Sequence, residues 1–189
     1  MRVAGNLAAR TLDMLRENIK VGISTNDIDK LGYEFIRDNG GYSAPLFYRG
    51  FKKSLCTSLN HVVCHGIPSD KILNKGDIIN VDVTAIVDEH HGDSSRMFSI
   101  GEISIKAKNL FDATYESMIR GIKILKPGIK LGDIGYEIQS YVESKGFSVV
   151  SAFCGHGIST KFHEPPNILH YGKKNTGIEL MPGMAFTIE

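Results

Sequence analysis

The feature that most constrains this 189-residue chain is that it repeats itself. Lys20, Gly22, Ile23, Asp27 and Ile28 return 106 positions later as Lys126, Gly128, Ile129, Asp133 and Ile134. The same shift carries Phe35-Ile36 to Tyr141-Val142 and Gly40 to Gly146. Farther on, His65-Gly66-Ile67 meets His156-Gly157-Ile158 at a shift of 91, and Leu73 and Gly76 meet Leu180 and Gly183 at 107. That last register sets Val81-Asp82 on Ile188-Glu189. The matches keep chain order, whereas helix pairs that merely end in glycine would agree at scattered positions. Duplication predicts two related halves, about 1–106 and 107–189, and a site that draws side chains from both.

Each half reads in the same order. Ala4, Leu7, Ala8, Leu12, Leu15 and Ile19 recur at helical spacing. Ser24 and Thr25 are cap candidates for a second helix with Ile28, Leu31 and Phe35 on one face. In the second half, Leu110, Thr114, Met118, Ile122 and Leu125 predict a helix closed by Pro127, and Ile134, Ile138, Tyr141 and Val142 predict another stopped by Gly146. Residues 77–87 and 95–100 read as strands around a polar turn at 88–92, with 147–153 and 185–188 as strands of the second half. Helix, helix, strands, twice over, is an α+β pattern with helices packed on a central antiparallel sheet. No linker divides the halves, so residues 1–189 are expected to form a single domain.

Composition narrows the class. Lys plus Arg total 22 and Asp plus Glu 21, so the net charge of +1 excludes a nucleic-acid binder that works by bulk charge. No run approaches the ~18 apolar residues of a membrane span, and residues 1–10 lack the apolar stretch of a secretory signal. Cys56, Cys64 and Cys154 form no CxxC pair, which suits a reduced, cytoplasmic setting and small apolar roles. Cys64 beside His65 lacks a third orienting group, which weighs against a thiol nucleophile.

The chemistry resides in polar groups set into apolar strands. Asp82 interrupts the β-prone run 78–83. A lone aspartate there is ordinarily a strand-end or salt-bridged residue, but a turn centred on Asp88 and Glu89 places it opposite Ser95. Asp93 then becomes a diagonal neighbour on the same face, about 7–8 Å away. Two carboxylates that close need a cation or a raised pKa. Glu189 is the repeat counterpart of Asp82, and His156 lies between glycines that permit close backbone approach. Together Asp82, Asp93, His156 and Glu189 form an oxygen-rich set with one imidazole, suited to Mn, Fe, Co or Zn pairs rather than to a thiolate zinc site. His65 and His163 are equally readable as solvated loop residues or as groups that hydrogen-bond a substrate amide. His61, His90, His91 and His170 read as ordinary surface residues, with 90–91 in the turn.

These motifs together resemble type I methionine aminopeptidases. The resemblance rests on Cys64-His65-Gly66-Ile67-Pro68, Asn80-Val81-Asp82-Val83, His91-Gly92-Asp93-Ser94-Ser95, Gly155-His156-Gly157-Ile158, Phe162-His163-Glu164 and the closing segment from Pro182 to Glu189, and it runs from end to end. Gaps of 11 residues between the aspartates and 33 between His156 and Glu189 are similar to the short bacterial or organellar type. The resemblance implies the pita-bread (creatinase/aminopeptidase-like) fold with two pseudo-symmetric halves. It implies removal of the initiator methionine from nascent proteins when the second residue is small, by a cytoplasmic monomer with two divalent metal ions (Co, Mn, Fe or Zn). Asp82 would chelate one metal, Asp93 would bridge both, and His156 and Glu189 would ligate the second, Glu189 also moving the proton. His65 would contact the substrate, and His163 would stabilise the oxyanion. Tyr48, Phe51, Cys56 and Phe162 would line the methionine pocket, where Pro45 replaces a cysteine of many relatives. The resemblance also implies a fifth ligand, a bridging glutamate after Glu189. The repeat gives the same expectation, because the 18 residues 83–100 have no counterpart after Glu189 and two full copies would need about 212 residues. The chain is thus expected to be shortened at both ends, its second half incomplete. Ribosome contact through Lys173-Lys174 is a further implication; nucleic-acid specificity and membrane association are not. Two other readings stay open: a pita-bread peptidase of the Xaa-Pro or creatinase type, and a non-catalytic binding module.

Overall fold

The computed structural model describes the whole chain, Met1–Glu189, in two units, Met1–Ile105 and Lys106–Glu189. In the first, α1 (Arg2–Asn18) and α2 (Thr25–Asp38) precede β1 (Tyr42–Ser43), β2 (Cys56–Leu59), β3 (Ile78–Val87) and β4 (His90–Ser99). Then come α3 (Ile105–Lys123), α4 (Leu131–Ser144), β5 (Gly155–Gly157) and β6 (Glu164–Ile168).

In the first unit β3 is the central strand. It pairs antiparallel with β4 from Ile78↔Ser99 to Val87↔His90. Its other edge is shared end to end by β2 and β1. Side chains alternate across a strand. Ile79, Val81, Val83 and Ala85 are fully buried and join Leu7, Leu12, Leu15, Ile28 and Ile36 of the helices in one core. Asn80, Asp82 and Thr84 therefore point to the opposite face. The sequence reading buries Asp82 within an apolar run; the period of two instead separates it from the core.

The β3–β4 hairpin turns more tightly than expected. Asp88 and Glu89 are its two central residues, at φ 47° and 64°, the left-handed pair required by a two-residue hairpin whose twist matches its strands. His90 and His91 consequently belong to β4 rather than to a turn, and His91 is buried.

The repeat has a hydrogen-bonded counterpart in each unit. Gly22 N–H donates to Leu73 O at 2.9 Å, and Gly128 N–H to Leu180 O at 3.0 Å. The return bonds, Leu73 to Ile23 and Leu180 to Ile129, measure 2.9 and 2.8 Å. Both helices that follow are capped the same way: the Ser24 N–H donates to the Asp27 carboxylate and the Lys130 N–H to that of Asp133. Ser24 Oγ also accepts from the Asp27 N–H, a half of the capping box that a lysine at 130 cannot supply.

The second unit departs from the sequence expectations in three places. On α3 the buried stripe is Ala113, Ser117 and Gly121, while Leu110 and Ile122 of the predicted face are exposed. At Gly121 the missing side chain leaves room for Ile138 of α4: a Cβ there would stand 2.9 Å from Ile138 Cδ1. Residues 147–153 form no strand. Phe147 and Val149 do pack on the core of Leu131, Ile134, Ile138, Val142 and Ile168, so the alternation is one of burial without a partner strand. Residues 185–188 make a single bridge, Phe186↔Gly157, rather than a ladder. The ladder of this unit is β5–β6, shifted in register between His156 and Gly157.

Candidate metal centre

In the first unit the register puts Asp82 of β3 between Cys56 of β2 and Ser95 of β4, with Asp93 opposite Thr84. Asp82 and Asp93 therefore share the face turned away from the helices, and both are partly exposed. Their charge is felt locally: burial, and then the nearby Asp82 and Asp93 carboxylates, push the Cys56 thiol far above its ordinary value. Cys56 is thus a neutral apolar wall beside the aspartates. Gly66 returns the following loop onto β2, with Thr57 N–H donating to Gly66 O at 2.8 Å and Gly66 N–H to Ser58 Oγ at 3.1 Å. A Cβ on Gly66 would lie 2.2 Å from Thr57 O, so only glycine permits that approach. His65, immediately before it, is held in the left-handed region at φ 54° and is exposed. Tyr48 and Phe51 sit half-buried in the β1–β2 connection, on a 3-10 turn closed by Phe51 N–H to Tyr48 O.

In the second unit β5 carries His156, which is 8% exposed. Its flanking glycines are needed for space, since a Cβ on Gly155 would stand 2.2 Å from Thr187 O and one on Gly157 2.3 Å from Pro165 O. His156 Nδ1 lies 2.9 Å from its neighbour's carbonyl, Gly157 O. Donation there leaves the Nε2 lone pair as the ligating atom. That Nε2 is 3.4 Å from Glu189 Oε1. His163 packs against both His156 and Phe162, at ring-centroid distances of 4.2 and 4.1 Å.

Two groups here escape the sequence reading. Thr187 Oγ1 accepts from the His156 N–H at 2.9 Å and donates to Glu189 Oε1 at 2.7 Å, so one hydroxyl spans the two candidate ligands. His170, read from sequence as a surface residue, accepts the Glu189 N–H on Nε2 at 3.3 Å, and burial lowers its pKa, which favours the neutral acceptor. Neither shows in periodicity; Thr187 could be suspected only from standing two residues before Glu189. Cys154 is also raised, by burial first and then by Glu189, so it is no thiolate either. None of the three cysteines is in a disulfide.

Donor chemistry of this kind defines a class. Residues 1–189 match metallopeptidase family M24, and the chain belongs to that family. It is similar to the methionine aminopeptidase of Rickettsia prowazekii, with 52% identity over 189 residues, 100% of this chain and 73% of that protein. The crystal structure of methionine aminopeptidase from the same organism superposes with a TM-score of 0.98, covering 99% of this chain and 75% of that one. A prolidase from Pyrococcus furiosus, 21% identical, shares the fold with a TM-score of 0.83 over 98% of this chain and 52% of its own. The fold is the α+β pita-bread type of this family, and the chain is an enzyme of the metallo-aminopeptidase class. No helix is long and apolar enough to cross a membrane.

Proposed function

We propose that this chain removes N-terminal methionine from nascent polypeptides whose second residue is small. The observation that most supports this is whole-length identity of 52% to a methionine aminopeptidase, in a chain whose donors stand in pairs within each unit. In this reading the two units act as one catalytic domain, a cytoplasmic monomer with Lys173-Lys174 as its basic contact at the ribosome.

The donors fit a pair of divalent cations. The set is oxygen-rich with one imidazole, which Mn, Fe, Co and Zn all accept. Bonds of about 2.0–2.2 Å place adjacent ligand atoms roughly 3.0–3.4 Å apart, and His156 Nε2 and Glu189 Oε1 stand 3.4 Å apart. Asp82 would hold one ion, Asp93 both, and His156 with Glu189 the second. When bound, such ions supply Lewis-acid activation of water and of the scissile carbonyl. The protein does the rest. The Glu189 carboxylate, oriented by Thr187, takes a proton from the attacking water and returns it to the departing amide nitrogen. A His163 ring N–H donates to the developing oxyanion, and His65 hydrogen-bonds beside the scissile amide. Tyr48, Phe51, Cys56 and Phe162 enclose the methionine side chain.

The test strips the chain with chelator, reloads it with Mn, Fe, Co or Zn, and offers Met-Ala-Ser and Xaa-Pro peptides, in parallel with a version extended beyond Glu189. Metal-dependent release of methionine with Xaa-Pro peptides left intact is the expected result. Release that survives chelation, cleavage confined to Xaa-Pro peptides, or folded, metal-loaded protein inert in both forms overturns the reading.

A further inference from the structure

We infer that Asp29 is a positioning residue for the methionine pocket, its carboxylate fixing the entry to β2 and, through β2, both Cys56 and the loop that bears His65. Aspartate is a poor choice for a helix interior, and a buried carboxylate costs stability unless it is hydrogen-bonded. Asp29 lies inside α2 and is 9% exposed. One oxygen, Oδ1, accepts both the Ser54 N–H at 2.7 Å and the Leu55 N–H at 2.9 Å. Burial raises its pKa despite those two bonds, so the clamp is kept against an opposing desolvation cost. The next residue is Cys56, opposite Asp82. From there Thr57 and Ser58 hold Gly66, which follows His65. One oxygen of α2 therefore holds the chain just before Cys56, and the backbone running on through β2 carries that anchor to the two hydrogen bonds that hold Gly66 beside His65.

The fold itself does not call for this clamp. The repeat counterpart of Asp29 is Gly135, where a Cβ would stand 2.3 Å from Tyr171 O and 2.9 Å from Leu169 O. The same helix position is filled by close backbone packing in one unit and by a carboxylate clamp in the other. The clamp belongs to the unit that carries Tyr48, Phe51, Cys56 and His65. Its catalytic consequence rests on the function proposed above; its structural claim does not.

The experiment compares Asp29→Ala with Asp29→Asn, which keeps an acceptor oxygen. Alkylation of Cys56 is followed by peptide mass mapping with Cys154 as internal reference, alongside kcat and KM for Met-Ala-Ser. Losing two hydrogen bonds at the start of β2 should speed Cys56 alkylation about tenfold relative to Cys154 in Asp29→Ala. KM should rise about tenfold with kcat changed less than about threefold, and Asp29→Asn should restore both readouts to within about threefold of the parent. Unchanged Cys56 reactivity, an asparagine that behaves like the alanine, or Cys56 and Cys154 rising together would each overturn the inference, the last reducing Asp29 to a stability residue. A folded but inert parent would refute the hydrolase reading and still leave the clamp tested by alkylation.

Discussion

Two glycines lie at the contact between α1 and β4, one pointing into it and one away, and they should respond to the same substitution with opposite sign. Gly92 lies in β4 opposite Ala85, on the core face, beneath the first turn of α1. A Cβ there would stand 2.1 Å from Gly5 N and 2.2 Å from Ala4 C. Both are backbone atoms, so no side chain can swing away. Reaching an ordinary contact requires α1 and β4 to part by about 1 Å along a seam that is otherwise close-packed. Overpacking of this kind costs about 1–3 kcal/mol, and the upper end applies because the obstacle is rigid. For a chain of this length about 3 kcal/mol lowers Tm by roughly 6–12 °C. A Cβ on Gly5, by contrast, would meet no atom within 4 Å, and Gly5 sits inside a helix. Gly5→Ala should therefore stabilise by roughly 0.5–1 kcal/mol through helix propensity alone. The measurement is thermal and urea unfolding of the two single variants beside the parent. Gly92→Ala with a Tm within about 2 °C of the parent, or Gly5→Ala less stable than Gly92→Ala, would refute the packing argument.

Other expectations concern the caps, acid and the metal donors. Ser24→Ala removes a capping hydroxyl and should cost about 1 kcal/mol in urea unfolding, whereas Lys130→Ser installs the acceptor missing from the duplicate helix and should stabilise by about 0.5–1 kcal/mol. The N–H groups of Asn175 and then Lys130 hold the Asp133 carboxyl below its ordinary value. A depressed acid stabilises above its unfolded pKa of about 3.9 and loses that contribution as pH falls through the lower folded value, so the stability gap between parent and Asp133→Asn should be flat from about pH 5 to 8 and shrink as pH falls below the unfolded pKa. Asp93→Asn should abolish Mn or Co uptake in calorimetry while the metal-free protein keeps its Tm within a few degrees, because Asp93 faces away from the core. His163→Ala should lower kcat for Met-Ala-Ser by about 10²-fold or more with KM nearly unchanged.

What can be read from sequence follows from the range of the forces involved. The repeat, the four helices and the pairing of Asp82 with Ser95 depend on local periodicity and turn chemistry, and all are present in the structure. The face of α3 is misread because Ala113, Ser117 and Gly121, which are buried, carry no hydrophobic signal of their own. Residues 147–153 alternate like a strand, yet only a partner's hydrogen bonds would make them one. β2, β5 and β6 are short, or rich in glycine and proline, and owe their form to the strands they meet. Among the candidate site residues, motif and repeat point to Asp82, Asp93, His156 and Glu189. Thr187, His170 and Asp29 act through one or two hydrogen bonds each, reaching residues 19 to 31 positions away, and leave no periodic trace.

The alternation of β3 also bears on how such a chain can change over time. Ile79, Val81, Val83 and Ala85 look toward the helices, and Asn80, Asp82 and Thr84 look the other way. Substitutions in the first group are tested by whether the protein stays folded, and those in the second by whether it still does its chemistry. Neighbouring codons are thereby exposed to different selective pressures. A lineage could retune the polar face for another metal or another peptide while the residues between stay under an older, independent constraint.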